Sequence, residues 1–148
     1  MIPPTGGHAS AAQGALFLAL SEWQTRTGDG GLLLQDIYVE LGDDNVLAPD
    51  IAWWSAERQP PLVAGTLAAV PDLVVEVLSP GTRENDLGPK RDAYGRAGVR
   101  ELWLVDPAVK RITVCAGDGL RSERPVESGF ESALLADLTL DRALIFKF

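Results

Sequence analysis

The sequence has few of the residues on which several function classes depend. It contains one cysteine, Cys115, and one histidine, His8. A single cysteine cannot form an internal disulfide, and one Cys with one His cannot build a zinc cluster. Cys115 lies in the apolar run RITVCAG, which predicts a small buried side chain. The sequence also has no P-loop, no GxGxxG turn and no GxS nucleophile elbow, so the usual nucleotide-binding and serine-hydrolase sites are excluded.

Long apolar runs are missing as well. No run approaches the ~20 residues that span a bilayer, and the opening MIPPTGGHAS lacks the basic and apolar regions of a signal peptide. We therefore expect a cytoplasmic protein with no membrane contact.

The chain is short of positive charge, with a net charge of −8. Such a balance argues against a protein that coats nucleic acid electrostatically. Five of the 13 basic residues nevertheless lie in one short stretch. They are Arg83, Lys90, Arg91, Arg96 and Arg100. This stretch is either a local basic patch of an enzyme or a solvated helix face.

The pattern of apolar residues predicts one domain over residues 1–148, of the α/β (α+β) class. A helix is expected over residues 8–27, followed by strands LLLQDIYVEL and VLAPDIAWW around the turn GDDN. A buried strand DLVVEVLS comes next, followed by a loop marked by Gly and Pro. A helix PKRDAYGRAG then begins at Pro89 and stops at Gly98. RELWLVDP and KRITVCAG are expected strands, and ALIFKF an edge strand. This order predicts a mixed sheet flanked by helices.

Three acids on the predicted strands are candidates for a functional site. Glu76 interrupts the apolar run VVEVL, and a buried carboxylate without a partner costs several kcal/mol, so it requires a cation, a metal or a strong donor. A core salt bridge would satisfy it equally. Asp50 follows Pro49 at a strand start, where aspartate is also common in turns. Asp72 shares a strand face with Glu76 but lies ~13 Å away, too far to bind the same ion, so a supporting role is expected.

Lys90 lies near the start of the second helix, where its long side chain could lean over the preceding strand. Tyr94 falls on the same helix face, and Asp86 precedes the helix as a candidate cap. Lys90 could equally be a solvated surface lysine. Two acids and a lysine form a minimal site for metal-dependent phosphodiester hydrolysis. We expect Mg²⁺ or Mn²⁺ to be the cofactor.

The segment PDLVVEVLSPGTRENDLGPKRDAYGRAGVRELWLVDP is similar to the signature of the Uma-two family, restriction-endonuclease-like proteins of the PD-(D/E)xK nuclease superfamily. The resemblance covers about residues 1–115, including the Pro-rich turn and first helix in PPTGGHASAAQGAL. It implies an αβββαβ core in which Asp50 and Glu76 are the two motif acids. We expect these acids to hold the metal, with a backbone carbonyl near Val77 completing the inner shell. The superfamily lysine position is Leu78 here, and the family moves this lysine to the helix, at Lys90.

The resemblance includes further positions of less certain role and two departures from the family pattern. Further residues fall on recurrent family positions: Ser79, Asp86, Tyr94 and Asp106. Family members usually begin with an extra N-terminal segment, so the domain is expected to be N-terminally short. The tail after Gly119 fits the family pattern poorly.

Together these features predict an endonuclease acting on DNA, with Arg83, Arg91 and Arg96 contacting the nucleic acid. A catalytically inert binding or regulatory module of the same fold is the alternative, and a hydrolase of small phosphates is a third hypothesis that suits the negative charge. A homodimer is also expected. Trp53 and Trp54 are adjacent on a strand and must point to opposite faces, which leaves one for an interface or substrate.

Overall fold

A six-stranded mixed sheet forms the centre of the structure, a computed structural model that describes residues 6–42, 44–126 and 130–148. The helices are α1 (Gly7–Thr27), α2 (Arg83–Leu87), α3 (Pro89–Ala97) and α4 (Arg142–Ile145), with a 3₁₀ turn at Asp118–Leu120. The strands are β1 (Leu32–Gln35), β2 (Val39–Glu40), β3 (Val46–Leu47), β4 (Ile51–Trp54), β5 (Leu73–Val77), β6 (Glu101–Asp106), β7 (Arg111–Ala116), β8 (Ser122–Pro125), β9 (Phe130–Glu131) and β10 (Thr139–Leu140).

The strand order in the sheet is β1-β4-β5-β6-β7-β8. Strands β5 and β6 are parallel and all other neighbours in this sheet are antiparallel. Helices α2 and α3 form the crossover that a parallel pair requires. β2 pairs with β3 and β9 with β10 in two small separate ladders. The predicted mixed sheet flanked by helices is confirmed.

Each face of the sheet carries its own apolar core. One core packs against α1 and includes Trp53, whereas the other packs against α3 and includes Trp54. The two tryptophans do point to opposite faces, but both are buried, at 5% and 0% exposed. The expectation that one of them is available to an interface or substrate is therefore wrong. All of β5 is buried, as its continuous apolar sequence predicts.

Helix α3 begins and ends where its sequence predicts. Pro89 occupies the first turn, where a missing N–H costs nothing. Gly98 ends the helix with φ 96°, a left-handed conformation that glycine adopts without a steric penalty. The buried residues of α1 recur every three or four positions, which gives the expected apolar stripe.

Four local predictions differ from the structure. The expected strand VLAPDIAWW is divided into β3 and β4 at residues 48–50. The long strand LLLQDIYVEL is broken into β1 and β2 at Asp36, whose φ of 52° cannot continue a strand. The segment expected as a loop before Pro89 contains α2. ALIFKF was expected to be an edge strand, but its first residues form α4, because the Asp141 carboxylate accepts a hydrogen bond from Ala143 N–H and caps a helix.

The Pro-rich turn of the opening segment lies outside the described residues. Within the described part of the chain, no helix combines the length and apolarity needed to cross a bilayer.

Candidate functional site

The pairing of β4 with β5 brings two carboxylates side by side. Ile51 pairs with Val75 in an antiparallel register, and one further step along both strands sets Asp50 opposite Glu76. Residues opposite each other in an antiparallel pair share a face and have Cβ atoms ~5 Å apart. Two acids from separate sequence segments therefore form one cluster on the α3 face of the sheet.

Glu76 is the most buried member of the cluster, at 2% exposed. Tyr94 donates its hydroxyl to Oε1 at 2.6 Å, and Lys90 Nζ lies 3.0 Å from Oε2. Burial raises the pKa of Glu76 to about 8, because the loss of hydration outweighs the attraction of Lys90. Two residues of α3, Lys90 and Tyr94, thus supply the partners that the buried Glu76 carboxyl group requires.

Asp50 sits just before β4 and is only partly buried. The backbone N–H of Val77 donates to its Oδ2 at 2.6 Å, which fixes the carboxylate beside β5. Burial raises the pKa of Asp50 to about 6, although the Val77 hydrogen bond and Lys90 partly offset it. The Asp50 carboxyl is therefore mainly ionised at neutral pH.

Lys90 and Tyr94 reach Glu76 together because residues four apart lie on one face of a helix. The Lys90 ammonium also lies 2.8 Å from Asp86 Oδ1. Burial would lower the pKa of Lys90, but Glu76 and Asp86 raise it more, so the ammonium stays charged. Lys90 is thus a partly buried member of the cluster, with 14% of its side chain exposed, and not a solvated surface lysine.

Asp86 does not have the role that its position in the sequence predicts. It lies inside α2 rather than capping α3, whose N-cap is Gly88, so the cap prediction is wrong. Its carboxylate is 1% exposed, and Oδ1 receives no aligned hydrogen bond. The ammonium of Lys90 is the cation that compensates this buried charge.

Sequence reasoning missed Asp36 and Gln13. The β1–β4 register, continued by one step, sets Asp36 opposite Asp50, and Asp36 N–H donates to the Asp50 carbonyl at 3.0 Å. Gln13 on α1 donates its side-chain amide to Asp36 Oδ1 at 3.1 Å and to the Asp50 carbonyl at 3.3 Å. Pairing the residues of the two predicted strands outward from the GDDN turn would have brought Asp36 close to Asp50. Nothing in the sequence points to Gln13.

Two other candidate residues lie outside this cluster. Asp72 is at the amino end of β5, where its carboxylate accepts from Ser55 N–H and pairs with Arg58. Ser79 follows β5, and its hydroxyl lies 3.0 Å from the Thr82 hydroxyl. Both are therefore held by structural contacts of their own.

The three candidate arginines are spread over the α2–α3 region. Arg83 pairs with Asp106 at 2.5 Å, and Arg91 pairs with Glu123 at 2.7 Å. Arg96 is exposed and lines an open cavity of about 690 Å³ between α3 and the 3₁₀ turn.

The donor set of the cluster suits a hard divalent cation. Its carboxylates are oxygen ligands of the kind that Mg²⁺ and Mn²⁺ take, and their burial makes an uncompensated negative charge unfavourable. Among the described residues, no three His, Cys, Asp or Glu side chains converge as a ready-made metal site. Two carboxylates, a backbone carbonyl and water would therefore form the shell, which agrees with the waters that Mg²⁺ usually keeps.

Comparisons with known proteins agree with this fold. The model of the Uma2 family, described as putative restriction endonuclease, matches residues 1–144. The crystal structure of a putative nuclease belonging to DUF820 from Anabaena variabilis superposes with a TM-score of 0.82, covering 98% of this chain and 83% of that chain at 18% identity. At this identity the likeness establishes the fold. No curated protein matches the chain.

Proposed function

Because this chain belongs to the Uma2 family of putative restriction endonucleases, we propose that it is a Mg²⁺- or Mn²⁺-dependent endonuclease that hydrolyses phosphodiester bonds in DNA. Membership of the family supports a nuclease-like function, and the metal and the DNA substrate are the proposed part. The observation that carries the proposal is the cross-strand pair of Asp50 and Glu76 with Lys90 in contact with Glu76.

Asp50, Glu76 and the backbone carbonyl of Val77 would hold the cation. A divalent cation supplies the activation of water and the neutralisation of phosphate charge that this reaction needs. The Val77 N–H holds Asp50 in place, and the Tyr94 hydroxyl does the same for Glu76. The carboxylates are therefore positioned before any ligand arrives.

Lys90 would bind the phosphate or orient the attacking water. Its ammonium remains charged in the cluster, and a fixed positive charge stabilises the negative charge that develops on the phosphoryl oxygens. Asp86 gives Lys90 a second partner besides Glu76. Lys90 would thus stay in position when Glu76 takes up a metal.

A catalytically inert binding module is the second candidate, and one observation favours it. Both carboxylate oxygens of Glu76 already have partners within the chain, Tyr94 and Lys90. Such a closed arrangement is also what a core ion pair without any ligand would look like.

A thermal-shift titration with Mg²⁺ and Mn²⁺ separates the two candidates. A ligand that binds only the folded protein stabilises it by about 2.7 kcal/mol at 100 times its Kd, a rise of several degrees in Tm for a domain of this size. The wild type should show this rise, and Asp50→Asn and Glu76→Gln should lose it. Glu101→Gln is the matched control, because Glu101 is also a buried strand glutamate but is bound by Trp103 and Ser132.

The same variants are then tested for cleavage of supercoiled plasmid DNA. Cleavage should depend on the added metal and fall at least a hundredfold in both site variants, the scale expected when a group that stabilises transition-state charge is lost. Undiminished cleavage by Glu76→Gln would remove the basis of the proposal. Metal-independent stability together with no cleavage by the wild type would favour the inert module. Cleavage of model diesters but not of DNA would identify a hydrolase of small phosphates.

We propose that Arg83, Arg91 and Arg96 contact the nucleic acid. Arg96 is the candidate arginine with no ion pair among the described residues, whereas Arg83 and Arg91 would have to share their carboxylate partners with a phosphate.

We propose a cytoplasmic homodimer, since cutting both strands of a duplex requires two sites. Light scattering of the purified protein would test the dimer.

A further inference from the structure

A second polar groove, separate from the carboxylate cluster, lies along the outer strands β7 and β8. It has a volume of about 480 Å³. Its lining residues are Arg111, Thr113, Glu123, Arg124, Pro125, Val126 and Arg142. Three of these lining residues are arginines, although the net charge of the chain is −8. We call it the arginine groove.

The arginine groove is more positive than a count of its residues indicates. Its one carboxylate belongs to Glu123, which pairs with Arg91 of α3 at 2.7 Å and is thereby neutralised from outside the groove. Neither Arg111 nor Arg142 forms an ion pair within the described part of the chain. Two exposed guanidinium groups are therefore available to an anionic ligand.

The strand register relates the arginine groove to the carboxylate cluster. Glu76 pairs with Leu104, Leu104 with Thr113, and Thr113 with Pro125, so one cross-strand row runs from the cluster to the part of the groove on the α3 face. Arg111 lies on this face too, whereas Arg142 belongs to α4, which packs on the α1 face, so the groove has residues from both faces of the sheet. Residues opposite each other lie on the same face of a sheet. Thr113 lies two strand spacings from Glu76, or ~10 Å. Each strand of duplex DNA carries one phosphate per ~3.4 Å of helix axis, so this separation corresponds to about three nucleotides.

We propose that the arginine groove binds the phosphate backbone of a nucleic acid a few nucleotides from the bond held at the Asp50–Glu76 cluster. The inference rests on the proposed nuclease function for its choice of anion. Guanidinium groups bind phosphate oxygens in a bidentate manner, and Arg111 and Arg142 would each hold the backbone without reading its sequence. The groove would therefore favour a polymeric substrate over a single diester.

The test measures DNA binding without catalysis. Fluorescence anisotropy of a labelled duplex of about 20 base pairs is recorded in EDTA, over a range of salt concentrations. The double variant Arg111→Ala/Arg142→Ala is compared with Arg26→Ala/Arg100→Ala, which removes the same charge from exposed arginines elsewhere. The groove variant should bind roughly tenfold more weakly at low salt, and the slope of log K against log salt should fall by about 1.8, or ~0.9 for each lost phosphate contact. The control should stay close to wild type.

Each other outcome overturns the inference. An equal loss in both double variants would show a general charge effect, and absence of DNA binding by the wild type would leave the groove without this ligand. If the Arg111→Ala/Arg142→Ala variant bound poly-glutamate more weakly than the wild type but bound DNA equally well, the groove would be assigned to an acidic protein partner.

The outcome for the groove can be separated from the outcome for the nuclease. If the wild type binds DNA through the arginine groove but never cleaves it, the inference stands and the nuclease proposal fails. If the wild type cleaves DNA and both double variants bind it equally well, the nuclease proposal stands and the inference fails.

Discussion

Replacing Glu76 with glutamine should change how the stability of the protein depends on pH. Glu76 has an ordinary pKa of 4.5, and burial raises it to about 8 in the folded protein. The folded state therefore binds this proton more tightly than the unfolded state does. Between these two pH values unfolding releases a proton, so the free energy of unfolding falls as pH rises. Below 4.5 the carboxyl is protonated in both states and no penalty exists.

The size of the effect follows from the two pKa values. One pKa unit corresponds to about 1.36 kcal/mol, so the full shift of Glu76 would cost the folded state about 5 kcal/mol above pH 8. Asp50, with a pKa of about 6, also lowers stability, but mostly below pH 6. Between pH 6 and 8 the wild type should therefore lose about 2 kcal/mol that Glu76→Gln does not lose.

Urea unfolding at a series of pH values measures this difference. All four tryptophans are buried, so their fluorescence reports the loss of the core. Glu57→Gln, the same chemical change at an exposed residue, should follow the wild-type curve. Equal loss of stability in the wild type and Glu76→Gln between pH 6 and 8 would refute the reasoning, since it would mean that Glu76 is not held protonated by its burial.

Three further substitutions have defined outcomes. Tyr94→Phe removes the hydroxyl that donates to Glu76 and should lower the free energy of unfolding by about 1.5–3 kcal/mol in urea titrations. Lys90→Met leaves its two buried carboxylates without a cation and should cost about 3–5 kcal/mol at pH 8, with part recovered at pH 5, where carboxyl groups of raised pKa are protonated. Gly95→Ala would place a Cβ 2.5 Å from the Gly119 carbonyl oxygen, so the Tm should fall by an amount equivalent to about 1–3 kcal/mol.

Each of these predictions can be contradicted. Gly14→Ala is the control for the glycine variant, because a Cβ at Gly14 meets open space on α1 and should stabilise the helix by up to about 1 kcal/mol. A loss of similar size in both glycine variants would remove the steric explanation. If Lys90→Met lost the same free energy of unfolding, relative to the wild type, at pH 5 and at pH 8, the carboxylates beside Lys90 would carry no charge that needs compensation.

Much of the arrangement of the carboxylate cluster could be predicted from the sequence because it depends on regular periodicity. Asp50 and Glu76 stand out as acids beside apolar strand residues, and a hairpin-like meander brings such strands together. Lys90 and Tyr94 share a helix face through their spacing of four. The mixed α/β fold followed from the same patterns, with a helical crossover between parallel strands.

The remaining features depend on contacts between distant parts of the chain. The strand break at Asp36 needs a left-handed backbone, and Gln13 of α1 helps to hold it from 23 residues away. Helices α2 and α4 have five and four residues, which is too short to show helical periodicity. Asp86 looked like a cap because it precedes Pro89, but its burial beside Lys90 arises from the fold around α2.

The composition of β8 affects how the protein behaves at high concentration. β8 is the last strand on its side of the sheet, and its four residues, Ser122–Pro125, are all exposed. An open edge strand is a template on which another chain can add a strand, the first step of ordered aggregation. Here the edge carries the charged Glu123 and Arg124 and ends in Pro125, which has no N–H to donate. These features disfavour the pairing of a strand from another chain at this edge.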